Sequence, residues 1–168
     1  MAEQKDLDFT YTTIDEIFRL SMGETGDYSG AKYDGDFSMT LEEAQKEKHK
    51  FIADSLNIAK GSKVLDMACG WAPFMRYITH ERDAKSIGLT LSQGQADACR
   101  KNGYKVMVKD CRYVKQEDFG IFDAITCIGG LEHFCSVEEW QAGKQEQVYR
   151  DFFKMLFDLL PIGGRFYM

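Results

Sequence analysis

Apolar residues recur at helical spacing in the first sixty residues of the chain. Residues 12–21 predict a helix, and residues 22–39, rich in Gly, Asp, Ser and Tyr, predict a loop. A second helix is predicted to begin at Thr40, whose hydroxyl and the Glu43 carboxylate can satisfy each other's backbone donors in a capping box. Its predicted end is Lys60-Gly61. The apolar positions of the first helix are Ile14, Ile17 and Phe18.

Beyond this point, short apolar runs alternate with helical segments. The predicted strands cover residues 64–67, 86–89, 104–109, 122–128 and 165–168. The predicted helices between them cover residues 71–80, 92–101 and 145–160. Strands that alternate with helices form βαβ units, so the sequence predicts an α/β protein with a parallel, doubly wound sheet. Ligands of such sheets bind beyond the carboxyl ends of the strands.

Composition limits the class of protein. The 168 residues, 44% hydrophobic and 29% charged, suffice for one globular domain with a real core. No apolar run approaches the roughly 20 residues of a membrane-spanning helix. The charged segment Met1–Asp8 leads into no apolar stretch, so no secretory signal is expected and a cytoplasmic location is predicted.

Charge and cysteine content exclude two further classes. The net charge of −6 disfavours nucleic acid as a partner. Lys46, Lys48 and Lys50 alternate with Glu and predict a solvated helix face. The cysteine number is odd, with no CxxC, and the three histidines lack ligand spacing, so we expect no structural metal and a reducing compartment. The cysteines are Cys69, Cys99, Cys111, Cys127 and Cys135.

The first predicted strand ends in the segment Asp66–Ala72, which carries small residues. Small residues allow a sharp turn and a close approach to a ligand, while the following helix presents free N–H groups. The segment has neither the glycines of a dinucleotide loop nor the GK[ST] of a P-loop. Asp66 would repel a pyrophosphate but would attract a cationic ligand such as an ammonium or a sulfonium.

These residues resemble a known family. Val64–Trp71 is similar to the first S-adenosylmethionine motif of class I methyltransferases, above all the LDxGCGWG of the cyclopropane-fatty-acid synthase family. Further matching segments follow the family's order and spacing, and the resemblance extends over roughly Tyr11 to Met168. They are Tyr28-Ser29 (YS), Phe37–Gln45 (MTLEEAQ), Gly88–Gln95 (GxTLSxxQ) and Gly129–Phe134 (GxFEHF).

The resemblance implies a Rossmann-like class I methyltransferase sheet, mostly parallel, preceded by N-terminal helices. Residues 1–39 would form a helix and a cofactor-covering loop, and residues 40–168 the S-adenosylmethionine-binding domain. About five of the fold's seven strands are predicted, so the remaining two and the acceptor-covering segment are expected beyond Met168. A fifth strand left at the edge of the sheet would be prone to pairing, and a longer chain would be more soluble.

The resemblance also implies a role for each matching residue. Those that would hold the methionine part of the cofactor are Asp66, Ala68 and Gly70, with Tyr28 and Ser29 closing over it. Those for the ribose are Thr90, Leu91 and Gln95. Those at the adenine are Asp110, Cys111 and Arg112, with Asp110 accepting from the exocyclic amino group. Those at the reacting centre are Gly129, Glu132 and His133, although a hydrogen-bonded structural role is the preferred interpretation of His133.

The reaction that the resemblance favours is methyl transfer to carbon of an unsaturated fatty acyl chain, as in cyclopropane synthases. Such a reaction needs positioning and exclusion of water, and a buried Glu132 could stabilise a cation on the acceptor. The family also holds bicarbonate as proton acceptor, often through a cysteine at the position that is Gly30 here. A lipid acceptor would bring contact with a membrane surface.

Two alternatives remain open. Ala68 and Ala72 replace glycines of the family motif, and Gly30 replaces the cysteine. These departures are also compatible with methylation of nitrogen or carbon in a small molecule. The other alternative is a domain that binds the cofactor without catalysis.

Overall fold

The computed structural model of this chain describes residues 26–168 together with Ile17 and Met22. Most of the predicted helix over residues 12–21 therefore lies outside the described residues. The strands are β1 (Lys63–Asp66), β2 (Lys85–Thr90), β3 (Val106–Val108), β4 (Ala124–Thr126) and β5 (Arg165–Tyr167). The helices are α1 (Leu41–Ser55), α2 (Pro73–Arg82), α3 (Gln93–Lys101), α4 (Gln116–Phe119), α5 (Val137–Gln141) and α6 (Gln145–Leu159).

The five strands form one sheet in the order β3-β2-β1-β4-β5, and every pair of neighbours is parallel. The prediction of a parallel, doubly wound sheet is therefore confirmed. The chain order reverses direction between β1 and β4, and such a switch point opens a crevice at the carboxyl ends of the strands. Within the described residues, β5 pairs with β4 alone and forms an edge of the sheet.

Two apolar layers cover the sheet because successive strand residues point to opposite faces. Val64 and Ala124 pack with α1 and α2 on one face. Leu65 and Ile125 pack with α6 on the other. The helix predicted over residues 145–160 is α6, and it supplies Phe152, Leu156 and Leu159 to this second layer, whereas its Phe153 is 44% exposed.

Local interactions set the helix ends. The end of α1, the start of α2 and the capping bonds of α3 differ from prediction. The Thr40 capping box forms as predicted, but α1 ends at Ser55 because Asn57 takes a left-handed φ of 55°. Helix α2 begins at Pro73, not at residue 71, because Ala72 before it is also left-handed. At α3 the Ser92 hydroxyl accepts from the Gln95 N–H as expected, but the Gln95 side chain bonds elsewhere.

Four short elements were not predicted from the sequence. They are α4, α5 and two 3₁₀ turns, at Cys111–Tyr113 and Leu131–His133. Each spans five residues or fewer, too few for a helical period to be visible in the sequence. In the part of the chain that the structure describes, no helix has the length and apolar character needed to cross a bilayer.

Candidate functional site

The carboxyl ends of β1, β2 and β4 bring together the polar residues that the sequence singled out. Asp66 ends β1 and lies in register with Gly88 of β2 on one side and with Thr126 of β4 on the other. Thr90 ends β2. The chain after β1 then crosses toward β2, where the Cys69 N–H donates to the Leu89 carbonyl over 3.0 Å. The crevice thus has Asp66 at its centre.

Asp66 is the most unusual charged group of this crevice. Its side chain is buried, with the residue 2% exposed; the Ala68 N–H donates to it over 3.4 Å, and the Thr126 side chain also interacts with it. Among residues 26–168 no basic side chain forms an ion pair with it. Burial raises the pKa of Asp66 from 3.8 to about 7, and the nearby charge of Asp27 adds to the increase. A cationic ligand would supply the positively charged partner that this buried carboxylate lacks.

The turn after Asp66 has the geometry that the small residues predicted. Gly70 has a φ of 52°, a left-handed conformation that glycine adopts without steric cost. Ala72 takes a similar φ of 64°, and Pro73 then begins α2. The Ala72 side chain makes no capping hydrogen bond. The first N–H groups of a helix lack partners within it, so this end of α2 can offer donors to a ligand beside Asp66.

Thr90 and Gln95 form a bonded pair at the end of β2. The Thr90 hydroxyl donates to Oε1 of Gln95 over 2.6 Å, and it accepts from the Ser92 N–H over 3.1 Å. Both side chains are buried, and Leu91 between them is half-buried. Two of the three predicted ribose residues, Thr90 and Gln95, therefore lie together, with their side chains holding each other in place.

Asp110 and Arg112 form a link between two loops. Both carboxylate oxygens of Asp110 accept from Arg112, and the shortest bond, to Nη2, is 2.8 Å. Arg112 also donates from Nη1 to the Phe134 carbonyl over 3.1 Å, which ties the end of β3 to the segment after β4. A ligand amino group would have to share the Asp110 oxygens with Arg112. The Cys111 side chain lies in the core, where burial raises its pKa to about 12.

The segment after β4 places the predicted reacting-centre residues at the surface. Glu132 lies beside Gly129, but its side chain is 58% exposed, so the prediction of a buried carboxylate is wrong. The His133 ring is 79% exposed and its nitrogen lies 4.0 Å from Glu132, so the expected hydrogen-bonded structural role is also not what the structure shows. Both residues lie on a 3₁₀ turn after β4. On either side of the turn, Phe134 is buried and Gly130 packs close to Ala68 and Cys127, while these two side chains face solvent.

Tyr28 and Ser29 lie in a loop held by α1. Tyr28 is exposed and Ser29 is half-buried, with its hydroxyl bonded to Asp27 and Lys48. The interpretation of the lysine-rich stretch as a solvated face is wrong for Lys48, which is 7% exposed. Its ammonium is paired with the Asp27 carboxylate over 2.8 Å, an ion pair between residues 21 positions apart that sequence spacing did not reveal.

The parallel sheet, its strand order and the crevice around Asp66 define a Rossmann-like fold of the class I methyltransferase type. A family model described as mycolic acid cyclopropane synthetase matches residues 1–168. The chain belongs to that family.

Curated relatives and solved structures agree with this family. Cyclopropane mycolic acid synthase 2 of Mycobacterium bovis (strain ATCC BAA-935 / AF2122/97) is 35% identical over 166 residues, covering 92% of this chain and 51% of the relative. Hydroxymycolate synthase MmaA4 of the same strain is 32% identical over 165 residues, covering 96% and 51%. The crystal structure of mycolic acid cyclopropane synthase CmaA1 complexed with SAH and CTAB superimposes with a TM-score of 0.77 at 28% identity, covering 95% of this chain and 54% of that one. The chain thus spans about half the length of the relatives it matches.

A more distant neighbour shares the fold. Coclaurine N-methyltransferase, solved with N-methylheliamine and SAH, matches with a TM-score of 0.69 at 18% identity, over 87% of this chain and 40% of that one. At this identity the likeness concerns the fold alone.

Proposed function

We propose that this chain binds S-adenosylmethionine as part of a methyltransferase of the cyclopropane synthase type. The observation that carries the proposal is the buried, uncompensated Asp66 at the carboxyl end of β1. A sulfonium cofactor with an α-ammonium group would provide a positively charged partner for this carboxylate. The relative CmaA1 was solved with SAH, the product of that cofactor.

The donor set of the crevice fits this cofactor. Asp66 would balance its positive charge, and the backbone at Ala68 and Gly70 would approach its methionine part. Thr90, Leu91 and Gln95 would lie along the ribose, and Asp110–Arg112 would border the adenine. Tyr28 and Ser29 would cover the methionine part from the loop that α1 holds. These roles rest on the family resemblance and, for the residues at or after the ends of β1, β2 and β3, on their position at the carboxyl ends of neighbouring strands.

When bound, S-adenosylmethionine supplies a methyl group on a positively charged sulfur. The chain's own residues have little proton transfer to perform in that displacement, so their main work is to orient the cofactor and exclude water. With an alkene as acceptor, positive charge develops on carbon and a proton must then leave. Glu132 is exposed in the segment after β4, beside Gly129. We propose that its carboxylate balances the positive charge on the acceptor carbon.

The acceptor that we favour is the double bond of a fatty acyl chain, since the curated relatives are named as mycolic acid synthases. The test is incubation of the chain with methyl-labelled cofactor and vesicles of unsaturated phospholipid, with saturated vesicles as the matched control. We expect label in the lipid extract of the unsaturated vesicles only. Equal label from both vesicle types, or none despite cofactor binding, would contradict lipid carbon as the acceptor.

A small-molecule amine is the second candidate, and Gly30 favours it because the family often has a cysteine there for bicarbonate. A competition assay with secondary amines and unsaturated lipid in one reaction separates the two acceptors. Label in the amine fraction alone would favour this candidate. Cofactor binding without label in either fraction would favour a non-catalytic domain.

Gly30→Cys tests whether the chain can use bicarbonate. A Cβ placed at residue 30 meets no atom within 4 Å, so we expect the variant to fold with stability within about 0.5 kcal/mol of the wild type. If lipid carbon is the acceptor, transfer to unsaturated lipid should rise several-fold in bicarbonate buffer. Gly30→Ser is the matched control without a thiol, and an equal response of both variants would contradict a role for the thiol.

A further inference from the structure

Five residues form a buried polar cluster beneath the loop that carries Tyr28. The cluster, here called the Asp27 cluster, comprises Asp27, Ser29, Gln45, Lys48 and His49. Four of them are at most 7% exposed, and Ser29 is half-buried. Charged and amide groups are seldom buried to this degree without a structural or functional reason.

The hydrogen bonds from Gln45 and Lys48 hold the segment 27–29 against one face of α1. The Lys48 ammonium donates to both Asp27 oxygens, over 2.9 and 2.8 Å, and to the Ser29 hydroxyl over 2.6 Å. The Gln45 amide donates to the carbonyls of Asp27 and Ser29, over 3.3 and 2.8 Å. Positions 45, 48 and 49 share one face of a helix. This single helix face therefore binds the residues on both sides of Tyr28, which are Asp27 and Ser29.

The cluster also connects the loop with α2. Nε2 of His49 lies 2.8 Å from an Asp27 oxygen, and its ring packs against Phe74 and Tyr77 with centroids 5.7 Å apart. Burial alone would raise the pKa of Asp27, but the hydrogen bonds from His49 and Lys48 outweigh burial and lower it. The carboxylate of Asp27 therefore remains charged between two helices.

The loop meets the turn after β1 at a second point. A methyl group placed on Gly26 would lie 3.5 Å from Cβ of Trp71, which belongs to the turn. The charge of Asp27 is also close enough to act on the Asp66 carboxylate. The residues that the cluster fixes thus border the crevice directly.

We propose that the Asp27 cluster is a positioning device, which sets the Tyr28-Ser29 segment against the turn after β1 and thereby determines the affinity for the cofactor. This inference rests on the proposed function for its ligand. Lys48, Gln45 and His49 act through Asp27 and Ser29 and are positioning residues.

The test uses Asp27→Asn and Lys48→Met, with Lys46→Met as the matched control two residues away on the same helix. The Lys46 side chain is 62% exposed and pairs with Glu81 outside the cluster. The binding readout is calorimetric titration with S-adenosylhomocysteine. We expect at least tenfold weaker binding in the two cluster variants and an unchanged affinity in Lys46→Met.

A stability-matched variant separates positioning from general destabilisation. Leu159→Ala lies in the core under α6, on the face of the sheet opposite to α1, and lowers stability without touching the loop. If it weakens binding as much as Lys48→Met does, the positioning role is wrong. Affinities of the cluster variants within twofold of the wild type would also overturn it.

A cofactor-free readout keeps this inference separate from the proposed function. In a Trp140→Phe background, Trp71 fluorescence reports the contact between the loop and the turn after β1. We expect acrylamide to quench Trp71 more strongly in Asp27→Asn and Lys48→Met than in the wild type. Ser29→Ala, which removes a single hydroxyl, replaces either variant if it fails to fold. If the wild type does not bind S-adenosylhomocysteine, the proposed function fails; if quenching is unchanged, the positioning device fails.

Discussion

Asp66→Asn is expected to make the chain more stable and, at the same time, to weaken binding of the proposed cofactor a hundredfold or more, on the order of 3 kcal/mol. The folded state raises the pKa of Asp66 from 3.8 to about 7, so at pH 8 the chain must keep a buried charge that burial disfavours. The shift corresponds to up to about 4 kcal/mol, at roughly 1.4 kcal/mol for each pH unit. Asparagine removes that charge with almost no change in shape.

The gain in stability should depend on pH in a defined direction. Between pH 4 and pH 7 the folded chain keeps the Asp66 proton that the unfolded chain has released, so wild-type stability falls as the pH rises through this window. Urea unfolding should therefore show Asp66→Asn more stable than the wild type at pH 8 and equal to it near pH 4. Asp151→Asn, an exposed change on α6, serves as the control and should show no such difference.

The loss of binding should be large because a buried carboxylate that pairs with a cation would be removed. Removing one partner of a buried ion pair costs about 3–5 kcal/mol, which corresponds to a loss of affinity of a hundredfold or more. For the wild type, affinity for S-adenosylhomocysteine should weaken as the pH falls below about 7, where Asp66 takes up a proton in the free chain. An Asp66→Asn variant that binds within a few-fold of the wild type would mean that the cofactor does not use this carboxylate.

Gly130→Ala is expected to disturb the site from the opposite side of the crevice. A Cβ at residue 130 would lie 2.9 Å from the Cβ of Ala68 and 2.9 Å from the Cys127 sulfur, both closer than real contacts allow. The φ of Gly130 is −123°, which alanine can adopt, so the steric contacts are what oppose the substitution. Overpacking of this kind costs about 1–3 kcal/mol, and here it would push the turn after β1 away from the loop after β4.

A compensating substitution tests this explanation. Ala68→Gly removes one of the two contacting methyl groups, so the double variant should recover about 0.5 kcal/mol or more relative to the sum of the two single changes. Denaturant unfolding of the four species measures the coupling, and titration with S-adenosylhomocysteine should show weaker binding in Gly130→Ala. Gly30→Ala, where a Cβ meets nothing within 4 Å, is the control. Additive effects of the two changes would show that the loops do not meet at these atoms.

Features that depend on residues close together in the sequence could be predicted. The Thr40 capping box and the alternation of strands and helices are local patterns, and the structure has both. The importance of Asp66 also follows from local features, since a carboxylate at the end of a buried parallel strand lies where such sheets bind their ligands.

Features that depend on contacts between distant segments could not be predicted in this way. The burial of Lys48 requires Asp27, which is brought beneath α1 by a loop without a periodic pattern. The bond between Thr90 and Gln95, which leaves the second half of the α3 capping box unformed, arises because β2 and α3 meet at that point. The exposure of Glu132 follows from a three-residue turn too short to have a signature in the sequence.

A crystal structure of this chain with S-adenosylhomocysteine tests the proposed cofactor site most directly. We expect density for the ligand across the carboxyl ends of β1, β2 and β4, with its ammonium group on the Asp66 carboxylate and its adenosine between Gln95 and the Asp110–Arg112 link. Density at another surface, or a ligand in this crevice with no contact to Asp66, would contradict the proposed site.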